Sequence, residues 1–462
     1  MVRIFRHYVS ARLLLVAVLE TLILVIAIRL GIAIHRPESA LTVSGVLALL
    51  PIVALGLGLL IFIHSAGLYR VDLWKNLQYG RVGLGIALLF VVGVFFLSVN
   101  PPQMIVLEPV GLVLMAIAIV VGSFLVRFAF HKWDALDAFK PRVLVLGTGS
   151  RVVEFAQLAQ RNSHLFVVGY VPFPSTAVHH VPATLVLPRA QDETLPAMAR
   201  KHRVDQIVIA VEDRRGKLPV EELVECKLQG VRVTELAATF EREYRQVSLE
   251  SISASWIMLN EGFLQGALRS GLKRLFDLCV STLLLLLTTP VIAVAAVCIF
   301  AESGFPVLYR QERVGQGGRV FSMYKLRSMK KDAESDGTPR WAAAKDDRTT
   351  RVGSIIRKLR IDELPQLINV LKGEMSFVGP RPERPYFVDQ LAKQIPYYSL
   401  RHSIKPGITG WAQVCYPYGA SLEDTTKKLQ YDLYYVKNHA LFLDFVILLA
   451  TVEVVLSGKG AR

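Results

Sequence analysis

The sequence predicts a mixed membrane α plus α/β protein. A four-helix transmembrane bundle leads into a Rossmann-like parallel-sheet module, and a mostly α domain with short strands follows, entered through a re-entrant helix. Three observations predict this. Apolar runs at 11–34, 41–63, 82–99 and 110–130 each approach the roughly 20 residues that cross a bilayer. Behind them, short β-branched runs alternate with helical stretches after a glycine turn, the pattern of a parallel sheet. A further apolar run, residues 275–300, is interrupted in its middle by Thr288-Thr289-Pro290.

With 52% hydrophobic residues in 462, the chain is too apolar for an ordinary soluble protein. Its formal charge of +15 suits anionic lipid or phosphorylated substrates, and the apolar runs favour these over nucleic acid. Cys226, Cys279, Cys298 and Cys415 stand apart, without CxxC or His-paired spacing. Neither a zinc site nor a disulfide framework is readable, and reduced, mostly packed thiols are expected.

No small-residue cleavage site follows the first run, so it reads as an anchor rather than a signal peptide. Arg3, Arg6 and Arg12 precede it, Arg70, Lys75 and Arg81 fill the second loop, and Arg127, Lys132 and Lys140 follow the fourth run. The alternate loops HRPESA and VNPPQMIVLEP are nearly free of base. The positive-inside rule therefore places both ends of the bundle (1–134), and everything after it, in the cytoplasm.

The α/β module spans 139–240. RVLVLGTGS reads as a buried strand entering a glycine turn, Val152–Arg161 as an amphipathic helix, and FVVGYV, TLVLP, QIVIAV and VRVTEL as further strands. Gly147 and Gly149 match the first two glycines of a dinucleotide fingerprint, but Val152 occupies the third and no acid closes the second strand. A structural or regulatory module is the better reading. A linker, 241–268, leads to the last domain, 269–462.

That domain opens with a predicted re-entrant helix, 273–301. Proline removes one helical hydrogen bond, and the threonine hydroxyls can satisfy freed carbonyls, so Thr289 and Pro290 mark a break that returns the chain to the leaflet it entered. A complete fifth crossing kinked at Pro290 is the alternative. The segment RTTRVGSIIRKLRIDELPQLINVLKGEMSFVGPRPE then places Arg348, Arg351, Arg357 and Arg360 just before the adjacent acids Asp362 and Glu363. Clustered guanidiniums hold phosphates. The acid pair beside them suits a nucleophile, an acid/base, or a ligand for a hard cation; a helix N-cap and first-turn acid is the bland reading. Gly315, Gly317, Gly318, Gly407 and Gly410 occur among Arg310, Arg313, Arg319, Lys325, Arg327, Arg401 and Lys405, as a backbone approached closely by an anionic ligand requires.

KRLFDL…TTP, PVLYRQERVGQGGRVFSMYKLRSM, the DE segment, KPGITGWAQV and YDLYYVKN together resemble the bacterial sugar transferases, the monotopic polyprenyl-phosphate phosphoglycosyl transferases. The resemblance covers about 270–462. QVCYPYGAS departs from the QVNG of many members. The resemblance implies transfer of a hexose 1-phosphate from a UDP-sugar to undecaprenyl phosphate, with release of UMP, in exopolysaccharide or O-antigen synthesis at the bacterial inner membrane. It implies that Asp362 is the nucleophile and that Glu363 holds Mg²⁺ or positions the incoming phosphate. Lys325, Arg327, Arg360 and Arg381 are the implied phosphate contacts, with Arg274 nearer the lipid headgroup. Mg²⁺ is expected on Asp362 and Glu363, and a homodimer through the α/β module is the expected assembly. Two rival functions are a nucleotide-sugar-modifying enzyme, which would need an intact fingerprint and a Tyr-x-x-x-Lys pair, and a non-catalytic scaffold for polysaccharide assembly, in which the acid pair would be dispensable.

Overall fold

The computed structural model describes residues 140–161, 165–172, 180–190, 192–211, 218–252, 266–330, 348–416 and 421–456, with scattered residues before 130. The four expected membrane crossings lie outside the described residues, apart from isolated helical residues within 14–26 and 117–129.

In the α/β unit, strands β1 (Arg142–Leu146), β2 (Phe166–Val171), β3 (Gln206–Ile209) and β4 (Arg232–Glu235) form one sheet of order β2-β1-β3-β4. All its pairings are parallel. Because strand side chains alternate, the sheet needs cover on both faces. Leu144, Leu146, Ile207 and Ile209 pack on one face with Leu195 and Met198 of α2 (Leu195–Lys201) and Leu223 and Cys226 of α3 (Val220–Leu228). Val143, Val145 and Val208 pack on the other with Phe155 of α1 (Val152–Arg161) and Leu236 and Phe240 of α4 (Leu236–Tyr244). One expected strand is corrected. In TLVLP, Ala183–Leu185 forms a 3₁₀ turn, and only Val186 makes an isolated bridge to Tyr170.

The second unit is built on one helix, α5 (Ala267–Ser303). It is the one helix among the described residues long and apolar enough to cross a membrane. The expected helix–break–helix is corrected here, because the backbone stays helical through Pro290 and the helix begins before residue 273. The Thr288 and Thr289 hydroxyls donate to Leu284 O at 2.7 Å and Leu285 O at 2.6 Å within that continuous helix. Threonine back-bonding of this kind supports the turn around the proline rather than ending it.

Both ends of α5 are fixed to the same domain. Near its start, Arg274 donates to Val370 O and Leu371 O at 2.6 and 2.7 Å, satisfying the last carbonyls of α7 (Gln366–Lys372). Lys273 bridges Asp277 at 3.0 Å and Asp444 at 2.9 Å, and Asp277 accepts from Ser376 Oγ and Phe377 N, each at 3.1 Å. Near its end, Glu302 accepts from Arg351 N at 2.8 Å and Val352 N at 3.0 Å, capping α6 (Arg351–Lys358) together with Thr350. Between these anchors Leu283, Leu286, Leu287, Val291 and Val294 are exposed. Cys279 and Cys298 lie exposed on the same helix, so the expectation of packed thiols holds for Cys226 alone among the fully buried.

The remainder wraps the site. The antiparallel hairpin β5 (Leu308–Val314) and β6 (Val320–Leu326) turns through Gly317 and Gly318, both at positive φ. β7 (Ser376–Val378) pairs in parallel with β8 (Gly407–Thr409). Helices α8 (Pro385–Gln394), α9 (Trp411–Cys415), α10 (Leu422–Asn438) and α11 (Leu441–Leu456) complete it. Asp444 of α11 is 1% exposed and carries the Lys273 bridge. Asp444→Ala removes the acceptor of both Lys273 and the Tyr435 hydroxyl (2.6 Å) but leaves Lys273 its bridge to Asp277, so it should destabilise this unit by about 1–3 kcal/mol. A lowered thermal midpoint in detergent is the expected outcome.

Candidate active site

Asp362 and Glu363 lie in a 3₁₀ turn, Ile361–Glu363, between α6 and α7. Pro365 separates the turn from α7, since it has no N–H to carry an α-helical bond back to Ile361. The bland reading of the acids as the N-cap and first turn of a helix is thereby corrected. They form their own turn, and the helix after it runs only from Gln366 to Lys372. Arg360 enters the turn at φ 59°, ψ 17°. A non-glycine residue in the left-handed region costs about 1 kcal/mol or more and concentrates at functional sites. Here the conformation puts Arg360 beside its own turn's Glu363.

Glu363 is the hub of a cation cluster. Arg381 Nη2 lies 2.8 Å from its Oε1, and Lys325 Nζ and Arg360 Nη1 each lie 3.4 Å from the same oxygen. Arg360 Nη1 is also 3.4 Å from Oε2. Burial by itself would raise the Glu363 carboxyl, but Arg381, Lys325 and Arg360 together outweigh burial and hold it far below the usual carboxylate range. Lys325 is lowered by burial, against the pull of Glu363.

Asp362 is the contrasting partner. It is 6% exposed, yet accepts no hydrogen bond from any described residue. Burial raises its carboxyl, with Lys325 opposing and the charge of Glu363 adding to the rise. One turn thus holds two acids with opposite assignments: a permanently charged anchor and a more basic, uncommitted carboxylate. That division of environments is how a site separates the roles of neighbouring acids.

Three of the five expected phosphate contacts converge on this turn: Lys325, Arg360 and Arg381. The other two do not. Arg327 donates Nη2 to Ser303 Oγ and Gly304 O, each at 2.6 Å, holding the end of α5. Arg274 is committed to the end of α7, as described above. Arg357 is an addition, since its charge lowers the Asp362 carboxyl. Its place in the arginine run before the acids was the available signal. Gly407 and Gly410 are also corrected. A Cβ on either would meet the backbone of Gly379, so these glycines admit a neighbouring strand rather than a ligand.

Mg²⁺ finds a partial fit. No group of three His, Cys, Asp or Glu converges among the described residues. Mg²⁺ commonly takes one or two carboxylates and completes its shell with water and substrate phosphates. Asp362, which accepts no hydrogen bond among the described residues, fits that mode. Glu363, engaged by three cations, does not fit it as the site stands.

Residues 268–458 match the model of a family described as bacterial sugar transferase. An uncharacterised sugar transferase of Bacillus subtilis strain 168 is 42% identical over 191 residues, 41% of this chain and 90% of that protein. The chain belongs to the bacterial sugar transferase family. A UDP-N-acetylgalactosamine-undecaprenyl-phosphate N-acetylgalactosaminephosphotransferase of Aeromonas hydrophila is 49% identical over 191 residues, 41% of this chain and 45% of that protein. A UDP-glucose:undecaprenyl-phosphate glucose-1-phosphate transferase of Escherichia coli strain K12 is 42% identical over 183 residues, 39% of each chain. This chain therefore covers less than half the length of these last two relatives, and the sugar transferase match contains every residue of the dyad and its cation cluster.

Proposed function

We propose that this protein transfers a hexose 1-phosphate from a UDP-sugar to undecaprenyl phosphate, yielding undecaprenyl-diphosphate sugar and UMP at the start of an exopolysaccharide or O-antigen-type repeat. The observation that carries the proposal is the Asp362–Glu363 turn: a buried carboxylate that accepts no hydrogen bond among the described residues, beside three cations gathered on its neighbour. The activities of the Aeromonas and Escherichia relatives support the same reaction class.

In this reading an Asp362 oxygen attacks the phosphorus that bears the sugar. The bond from that phosphorus to the UMP oxygen breaks, UMP leaves, and an acyl phosphate remains on Asp362. An oxygen of the lipid phosphate then attacks the same phosphorus and releases the carboxylate. Lys325, Arg360 and Arg381 neutralise the charge that builds on the transferring phosphate. Glu363 keeps those cations assembled before the donor arrives. Asp362 and the donor's phosphates would hold Mg²⁺, which would supply further charge neutralisation.

A two-substrate reaction of this kind needs its site at the headgroup level. The two anchored ends of α5 and the exposed leucines between them support a helix that enters and leaves one leaflet, its continuity through Pro290 notwithstanding. The basic loops around the N-terminal apolar runs support a multi-pass protein of the inner membrane with this domain cytoplasmic. We assign dimerisation to the α/β module.

The test is UMP release from membranes carrying the protein, with undecaprenyl phosphate, Mg²⁺ and a panel including UDP-glucose and UDP-N-acetylgalactosamine. Release that depends on one sugar and on the lipid is expected. No release from any donor by folded protein would overturn the reading.

A further inference from the structure

Arg381 reaches Glu363 from the segment Gly379–Glu383, whose backbone is held at every carbonyl from Pro380 onward. Pro380 O accepts from Gly407 N at 2.9 Å, and Glu383 O accepts from Val314 N at 2.9 Å. The two carbonyls between them are held by side chains. Arg381 O accepts from Arg401 Nη2 at 2.8 Å, and Pro382 O accepts from Arg313 Nη1 at 3.0 Å. At the near end, Gly379 N donates to Thr409 O at 2.9 Å. Loop carbonyls ordinarily face water. Placing one buried and one partly buried guanidinium on two of them is unusual, because a charge removed from water needs compensation.

That compensation is present. Arg401 is 6% exposed, with Nε and Nη2 on Asp432 Oδ2 at 3.1 and 2.8 Å and Nη1 on the Tyr398 hydroxyl at 2.9 Å. Asp432 is itself 3% exposed. Every nitrogen of Arg401 makes at least one of these protein hydrogen bonds, which fixes the plane of its guanidinium. Arg313 divides its fork between Pro382 O and Gln311, with Glu383 at 3.6 Å. Burial lowers Arg313 to about 10 despite that acid.

We propose that Arg401, fixed by Asp432 and Tyr398, is a positioning residue that sets the place of the Arg381 guanidinium through the Arg381 carbonyl, with Arg313 doing the same one residue on. The proposal rests on the transferase reading above, in which Arg381 contacts the transferring phosphate. A planar fork can bind an acid and a carbonyl at once, whereas an ammonium cannot reproduce that geometry. Arg401→Lys keeps the charge opposite Asp432 but releases the carbonyl. A displacement of Arg381 by less than 1 Å is enough to weaken a phosphoryl-transfer site.

The experiment is a double-mutant cycle on the full chain, read as kcat/KM for UMP release with thermal midpoints measured alongside. Arg401→Lys is expected to lower kcat/KM by about tenfold in the wild-type background and by less than about twofold when Arg381 is already Lys. A residue that only stabilises the fold would give the same loss in both backgrounds, and that additivity would overturn the proposal. Unchanged kcat/KM in Arg401→Lys would overturn it equally. Should Arg401→Lys fail to accumulate as folded protein, Arg313→Lys carries the same prediction from the neighbouring carbonyl. A wild type that releases no UMP would instead sink the transferase reading on which the proposal stands.

Discussion

Asp362→Asn is expected to cut UMP release by about 10⁴-fold or more, the scale seen when a nucleophile is removed from an otherwise intact site. The substitution should leave the fold in place. The Asp362 carboxylate accepts no hydrogen bond from any described residue, so the amide displaces nothing. The thermal midpoint should therefore stay unchanged or rise slightly, since burial of a charge is relieved. Full activity in the variant would place the nucleophile elsewhere, on Glu363 or on the lipid phosphate attacking directly.

Glu363→Gln should behave differently, losing about 10²- to 10³-fold through misplaced cations rather than through a missing nucleophile. Its second signature is a pH shift whose sign follows from the two carboxyls. In the wild type the Glu363 charge raises Asp362, which burial already lifts above the ordinary 3.8. A raised nucleophile is protonated earlier as pH falls, so the acid limb of kcat for the wild type should lie above the range of a free aspartate. In Glu363→Gln that charge is gone, while Lys325, Arg381 and Arg357 still lower Asp362. The acid limb should move to lower pH. A limb that stays in place, or moves up, would mean that Glu363 does not act on Asp362 electrostatically.

The dyad and three of its cations are legible in sequence because they sit in two short motifs. Asp362, Glu363 and Arg360 are consecutive or nearly so, and Arg381 follows in a rigid Gly-Pro-Arg-Pro. Lys325 is reached by the hairpin that brings β6 back past the turn. Arg327 and Arg274 have the same residue type but reach helix ends, Arg327 through Nη2 to Ser303 Oγ and Gly304 O, Arg274 to Val370 O and Leu371 O. Composition cannot tell an arginine that binds a phosphate from one that caps a helix. The decision is made by packing partners 23 and 96 positions away. Arg401 and Asp432 are a sharper case, a pair 31 residues apart with no periodic signal linking them. The same limit governs α5: threonines before a proline read as a break, but their hydroxyls can equally sustain the turn, as they do at Leu284 and Leu285.

In the α/β unit, alternation located the four paired strands, since both faces of a parallel sheet must be covered. TLVLP has the strand composition without the strand, because Ala183–Leu185 turns away and leaves Val186 a single bridge. The glycine turn after β1 has a local structural explanation. Gly147 adopts φ +125°, and a Cβ there would press on Ala210 O at 3.0 Å. Close strand packing therefore accounts for the glycine that resembles a fingerprint.

The most direct test of the account omits the acceptor. Wild-type protein incubated with its UDP-sugar and Mg²⁺, without undecaprenyl phosphate, should release one equivalent of UMP per active site. The peptide carrying Asp362 should gain the mass of a hexose phosphate, and added undecaprenyl phosphate should remove it. UMP that appears only when the lipid is present, with no adduct on that peptide, would contradict the covalent role of Asp362 and point to direct attack by the lipid phosphate.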